Sequence, residues 1–313
     1  PTVDASRALG QIGWGADEAR RWFWGFGPEA LPLNGRVWMP DGDGPFPLVL
    51  IVHGNHAMGA ENEAGYAYLG EHLASRGFIA ASVDESFLNG SWAGDYLGNE
   101  QAVRAWLLLL HLDQWRTWNA QRGGSLAGRV DMDRVALIGH SRGGEAASVA
   151  ASLADLDGSF NPALRPWPTG LAIKAVVAIA PSDGQYSPAV RLEGVDLLEL
   201  TGGHDADARA WSGIRQYNRT TVGEGGFKAA LYAYRANHGQ FNTVWGRGDQ
   251  GPWSGALLNL RPLLTAAEQE DVARGVAERV VDALEVVDVD EEHGQRLLGA
   301  LGAGERVVEA VHG

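Results

Sequence analysis

The chain has 313 residues, 45% of them hydrophobic, with 43 Gly and no Cys, the composition of a globular protein of one large domain or two modest ones. Its 25 Lys and Arg against 39 Asp and Glu give a formal net charge of −14, which argues against nucleic-acid or anionic-membrane partners, since phosphate-rich surfaces are held by clustered cations. The missing Cys removes disulfides, thiolate metal sites and cysteine nucleophiles together.

The longest apolar run, Ala105 to Leu112, is far short of the ~18 residues that a membrane span needs, so no span is expected. The chain opens at Pro1 without a Met, as a processed or trimmed product would, and it carries no signal-peptide pattern. A soluble chain, cytoplasmic or secreted, is the expectation.

Residues 1–34 carry Trp14, Trp22, Phe23, Trp24 and Phe26 among many Gly, and are expected to wrap the following domain or to belong to a preceding one. From residue 35 to 285, short apolar runs alternate with helical patterns. Strands are expected at Arg36–Met39, Leu48–Val52, Phe78–Val83, Arg134–Ile138, Ile173–Ala180, Asp196–Thr201 and Ala229–Ala236. Helices are expected at Glu63–Ser75, Asn99–Gln121, Gly143–Ala154, Ala206–Asn218 and Thr265–Leu284, the last opened by a Thr265–Glu268 capping box. Strand and helix in repetition imply an α/β fold: a mostly parallel sheet of seven or eight strands with right-handed crossovers. Residues 286–313 read as an acidic tail with Asp288, Asp290, Glu291 and Glu292. From Thr265 onward there are twelve acids and four Arg, so much of the net charge belongs to the last helix and tail.

The strongest chemical signal is Gly139-His140-Ser141-Arg142-Gly143-Gly144, placed between an apolar strand and an Ala-rich helix. A G-x-S-x-G on strand–turn–helix is a nucleophile elbow, with a strained serine at a helix N-terminus. In this architecture the acid and then the histidine follow in chain order. His238 lies where the last strand runs into Asn237-His238-Gly239, a position from which a general base can reach Ser141. The preceding strand runs into Gly202-Gly203-His204-Asp205-Ala206-Asp207, where Asp205 is the first choice for the acid; Asp207, and Asp183 after the strand before, are the alternatives. His140 is expected to turn its side chain away from the Ser141 face. The oxyanion hole should use the backbone N–H of Arg142 and of Asn55 in the loop His53–Gly59, with His56 as the neighbouring alternative. His53, His56 and Glu61 lack metal-ligand spacing, so neither metal nor organic cofactor is expected.

From Val37 to Leu284 the chain resembles the α/β-hydrolase superfamily. Leu48–Gly54, Gly65–Phe78 and the hexapeptide at 139–144 are similar to the chlorophyllase, platelet-activating-factor acetylhydrolase and polyester-hydrolase (cutinase-like) branch. The resemblance implies an α/β-hydrolase catalytic domain, Ser141 as nucleophile, His238 as base, Asp205 as acid and Asn55 and Arg142 as oxyanion donors. Three features depart from the polyester-hydrolase pattern: Arg142 in place of Met, Ser182 in place of Trp, and no Cys for a terminal disulfide. The function expected is hydrolysis of a small or polymeric carboxylic ester through an acyl-enzyme. Acyl transfer or amide hydrolysis would use the same residues, and a non-catalytic interaction module is the reading furthest from the motifs. The short stretch from Ser182 to Asp196 leaves no room for a large lid, and Trp92, Trp211, Trp245 and Trp253 lie in or near loops that could line an open cleft.

Overall fold

A computed structural model describes residues 1–14, 17–91, 100–158, 161–209, 211–249 and 262–285. Trp92, Trp253 and the acidic tail at 286–313 lie outside them. Seven strands form one sheet: β3 (Gly35–Trp38), β4 (Phe46–Val52), β5 (Ile79–Val83), β6 (Val130–His140), β7 (Ala175–Ile179), β8 (Asp196–Gly202) and β9 (Lys228–Ala233). Their spatial order is β3-β5-β4-β6-β7-β8-β9, with β3 antiparallel to β5 and the other pairs parallel.

Alternation along β4 explains its unbroken apolar run. Leu48, Leu50 and Val52 face one core while Val49 and Ile51 face the other, so both sides of the strand are dry. The first core also takes up α4 (Gln101–Ala120) and α5 (Arg142–Leu153). Leu107 to Leu110 are all buried, which accounts for the uninterrupted apolar run in the middle of α4. On the other face, α3 (Ala67–Ala74) and α7 (Ala266–Glu285) contribute Leu69, Leu73, Ala273, Val276 and Ala277. The α7 N-terminus is the expected capping box: Thr265 N–H donates to Glu268 Oε2 (2.7 Å) and Glu268 N–H donates to Thr265 Oγ1 (3.3 Å).

The N-terminal segment is more structured than its composition suggests. Thr2–Val3 (β1) pairs with Leu31–Pro32 (β2), and Ser6–Ile12 (α1) and Asp17–Trp24 (α2) lie between them. Val3, Leu9, Trp14 and Leu31 join the first core, and the Trp14 indole N–H donates to Phe87 C=O (2.9 Å).

Three boundaries differ from expectation for identifiable reasons. Strand β6 begins earlier, at Val130, because a bulge opposite Pro47/Leu48 splits its pairing with β4 into two registers. Strand β9 ends earlier, at Ala233, because Arg235 takes φ 64° and turns the chain toward Asn237. The helix expected from Ala206 begins only at Ser212 (α6, Ser212–Arg219), because Asp205 Oδ1 accepts the N–H groups of Asp207 and Ala208 and holds an Asx turn there instead. Segment 180–195 between β7 and β8 contains no helix, and no described helix is long and apolar enough to cross a membrane.

Glu199 on β8 is buried, neither carboxylate oxygen has a hydrogen-bond partner among the described residues, and Gly213 of α6 packs directly against it. Burial, with a smaller contribution from the Asp183 charge, pushes its pKa up to about 8. The folded state therefore binds a proton that the unfolded chain has already lost above its ordinary value of 4.5, and stability falls as pH rises between these two values. Glu199→Gln is expected to flatten that decline, read as a smaller loss of Tm between pH 5 and pH 9; an unchanged slope would contradict the assignment.

Candidate active site

Parallel pairing sets Gly139 beside Val52 of β4 and Ala178 of β7, so the loops after β4, β6, β7, β8 and β9 emerge at one edge of the sheet. At that edge Ser141 takes φ 59° and ψ −124°, a conformation that L-residues avoid. Its N–H donates to Ile179 C=O (2.9 Å) and its own C=O accepts from Ser182 N–H (3.1 Å) and Gly144 N–H (3.0 Å), which fixes the turn against β7. The elbow also leans on β4. A Cβ at Gly143 would lie 2.4 Å from Val52 O, and one at Gly54 would lie 2.5 Å from Ser141 Cβ.

The loop after β4 is tied down from beneath. His53 is fully buried; its Nδ1 bonds Gly54 C=O (2.8 Å) and its Nε2 accepts Glu85 N–H (3.0 Å), so the ring is neutral with its proton on Nδ1. Asn55 Oδ1 accepts Gly90 N–H (2.8 Å), and Met58 N–H donates to Gly90 C=O (3.0 Å). Asn55 thus sits on a loop braced by the segment after β5 and packed against the elbow. Arg142 starts α5, and its guanidinium binds the buried Glu100 carboxylate. Glu100 lies 3.6 Å from Arg104 Nε, and Arg104 in turn reaches Glu85 (3.2 Å) and Asn89 Oδ1 (2.7 Å). Burial pushes Glu85 up to about 8 even with Arg104 beside it. This buried chain of charges beneath the elbow has no signature in the sequence.

His238 and Asp205 meet in the adjoining loops. His238 Nδ1 lies 2.8 Å from Asp205 Oδ2, and both side chains are buried. The Nε2 atom is buried without a hydrogen-bond partner among the described residues. Burial alone would lower the His238 pKa; the Asp205 hydrogen bond and charge, joined by Asp207 and Asp249, outweigh it and hold the pKa above its ordinary value. Neither alternative acid is the partner of His238 Nδ1. Asp207 is 46% exposed, with its carboxylate 3.8 Å from His238 Nε2. Asp183 is taken by Arg215 (2.9 Å) and Arg219.

His140 does not turn away from this region. Its ring lies 4.9 Å from that of His238, its Nδ1 bonds Tyr66 Oη (2.9 Å), and burial, with the neighbouring His238 charge, holds its pKa well below the usual histidine range. Trp245 stacks on His140 (4.6 Å), His56 (5.3 Å) and His238 (6.1 Å), while its indole N–H donates to Asn62 Oδ1 (2.7 Å). Trp211, by contrast, is 72% exposed at the start of α6. Glu61 pairs with Arg36, and no three metal-binding side chains gather among the described residues.

Two buried carboxylates escaped sequence reasoning. Glu145 in the first turn of α5 accepts the N–H groups of Gly184, Gln185 and Tyr186 (2.8–2.9 Å) and the Ser182 hydroxyl (2.8 Å), which shapes the loop after β7. Asp249 accepts from Asn237, His238, Gly239 and Ala206. Neither lies in a recognisable motif. The only hint was the length of the stretch between His238 and the last helix.

A mostly parallel seven-stranded sheet with flanking helices and a serine elbow after β6 defines an α/β-hydrolase. The chain belongs to the chlorophyllase family, whose model matches residues 28–192. That match takes in the elbow and the loop after β4 and ends before Asp205 and His238. No curated protein matches the chain.

Close approach at Gly54 makes a direct test of this packing. Gly54→Ala is expected to destabilise by about 1–3 kcal/mol through overpacking against Ser141, read as a lower Tm. Gly10→Ala, in α1 with open space around it, is expected to be neutral or stabilising. Equal melting temperatures for the two variants would contradict the packing described.

Proposed function

We propose that the chain is a serine carboxylic-ester hydrolase in which Ser141 is the nucleophile, His238 the general base and Asp205 the carboxylate that orients it. The observation that carries this reading is the buried 2.8 Å contact between His238 Nδ1 and Asp205 Oδ2, at the same sheet edge as a serine held at φ 59°. The chlorophyllase-family match supports an esterase kind of α/β-hydrolase chemistry.

The reaction follows from the chemistry of these groups. Asp205 holds the His238 proton on Nδ1, leaving the Nε2 lone pair to accept the Ser141 hydroxyl proton as Oγ attacks the ester carbonyl. Negative charge then moves to the carbonyl oxygen, where the backbone N–H groups of Asn55 and Arg142 serve as the oxyanion hole. Collapse of the tetrahedral intermediate breaks the C–O bond. His238 gives its proton to the leaving alcohol, and the acyl group stays on Ser141. A water, deprotonated by His238, attacks the acyl-enzyme; the acid departs and Oγ recovers its proton. Asp205 remains ionised throughout and stabilises the imidazolium. The substrate class that fits is a carboxylic ester, small or polymeric, since no helix-bearing lid lies between β7 and β8.

A fluorophosphonate probe should form an adduct on Ser141, located by mass spectrometry. Ser141→Ala should lower hydrolysis of nitrophenyl esters by a factor on the order of 10⁴ to 10⁶. An adduct elsewhere, or full activity in Ser141→Ala, would overturn the reading. Because His238 must be neutral to act as base, activity should fall as pH drops through its folded pKa, with a midpoint above 6.5. Asp205→Asn removes the main influence holding that pKa up, so the residual activity should show its midpoint at lower pH. A midpoint unmoved in Asp205→Asn would contradict Asp205 as the acid.

A further inference from the structure

After His238 the chain does not go straight to α7. Residues 239–249 leave the sheet edge and come back to it, and Asp249 is where the return ends. Asp249 is 4% exposed, and each of its carboxylate oxygens accepts at least two hydrogen bonds from the described residues. Oδ1 accepts from Asn237 Nδ2 (3.0 Å) and from Gly239 N–H (3.0 Å). Oδ2 accepts from His238 N–H (3.1 Å) and from Ala206 N–H (3.1 Å). Ala206 directly follows Asp205, and the other three donors belong to the base and its two neighbours.

We infer that Asp249 is a positioning residue: it clamps the loop of the acid to the loop of the base and so sets the geometry in which His238 meets Asp205 and Ser141. The inference rests on the ester-hydrolase reading above. Four donors converge on one buried group, and an ionised carboxylate has the lone pairs to satisfy all four, whereas an amide in its place turns an NH₂ toward two of them. Other ties between the loops among the described residues include the His238–Asp205 contact itself, the backbone bonds His204 N–H to Ala236 C=O and Gly203 N–H to Ala233 C=O (2.8 Å each), and the His204–Tyr234 ring contact. Those backbone bonds, with the β8–β9 pairing behind them, keep the fold closed when the clamp is loosened. Misplacement of a base by a fraction of an ångström is costly to proton transfer, so the clamp acts on rate rather than on substrate binding. The charged and titratable groups facing His238 are Asp205, Asp207 and Asp249, with the His140 ring on the remaining side. Asp249 thus adds to the negative charge of Asp205 and Asp207 around the imidazole.

The test compares the parent chain with Asp249→Asn and Asn237→Ala. The readouts are the rate of fluorophosphonate labelling at Ser141, kcat and KM for a nitrophenyl ester, and the pH profile. Asp249→Asn is expected to slow labelling and lower kcat by about tenfold to a hundredfold with KM little changed. Its acid limb should also move to lower pH, as a charge that favours the imidazolium is lost. Asn237→Ala, which removes one donor and keeps the Asp249 charge, should give a smaller fall in kcat with the limb unmoved. Should Asp249→Asn lose cooperative unfolding, Asn237→Ala decides alone, and parent-like labelling and kcat in it would overturn the inference. Parent-like labelling and kcat in Asp249→Asn, or a defect confined to KM, would likewise overturn it. A parent chain that takes no label at Ser141 fails the ester-hydrolase reading itself and removes the inference with it.

Discussion

The backbone of Ser141 is held where an L-residue does not settle on its own, at a cost of order 1–3 kcal/mol that the surrounding structure must offset. Most of the site depends on how that is achieved. Two parallel strands grip the turn: Ile179 of β7 accepts its N–H, and Val52 and His53 lie where a side chain at Gly143 would have to go. The grip works only if β4, β6 and β7 end at the same level, which their register ensures. The same register delivers the loops carrying Asn55, Asp205 and His238 to one edge. Backbone strain at a single serine and the convergence of the functional loops are thus two consequences of one sheet geometry.

Carboxylates do much of the remaining work, and the net charge of −14 hides how differently they are used. Glu145 and Asp249 accept four hydrogen bonds each and hold loops that have no helix or strand to shape them. Glu100 and Glu85 alternate with Arg142 and Arg104 beneath the elbow, where a desolvated charge requires an opposite one. Glu199 has no hydrogen-bond partner among the described residues, and burial pushes its pKa, like that of Glu85, up to about 8. Surface carboxylates such as Glu61 and Glu29 pair with Arg36 and Arg21 in water and count for little in stability. Buried acids set the geometry, and exposed ones set the net charge.

The sheet was legible because both its faces are covered: runs such as Leu48–Val52 are apolar without interruption, and several, such as those before Gly54, Gly139 and Gly202, end in a turn that carries Gly. The elbow was legible because its G-x-S-x-G spacing is local, with Gly139 packed on Gly143 C=O, although Gly143 itself is demanded by the distant Val52 and His53. Asp205 and His238 could be named from chain order and from the loops that follow their strands. Other features depend on contacts between distant residues, which leave no local pattern. Asp249 and Glu145 are single acids in unremarkable sequence, and their roles arise only when loops from other strands present N–H groups to them. The helix expected from Ala206 fails because the Asp205 side chain competes for the backbone N–H groups that a helix would use. His140 was expected to turn its side chain away from the Ser141 face. It lies under His238 because Trp245, returning from beyond β9, closes a stack over both rings.

The central claim is that a buried His238–Asp205 pair, with its proton fixed on Nδ1, stands ready to serve Ser141. Proton NMR resolved by ¹⁵N on the His238 ring tests it most directly. A slowly exchanging, strongly downfield Nδ1 proton should be present in the parent chain, persist in Asp207→Asn and Asp183→Asn, and vanish in Asp205→Asn. Persistence of that signal in Asp205→Asn, or its loss in Asp207→Asn, would contradict the account.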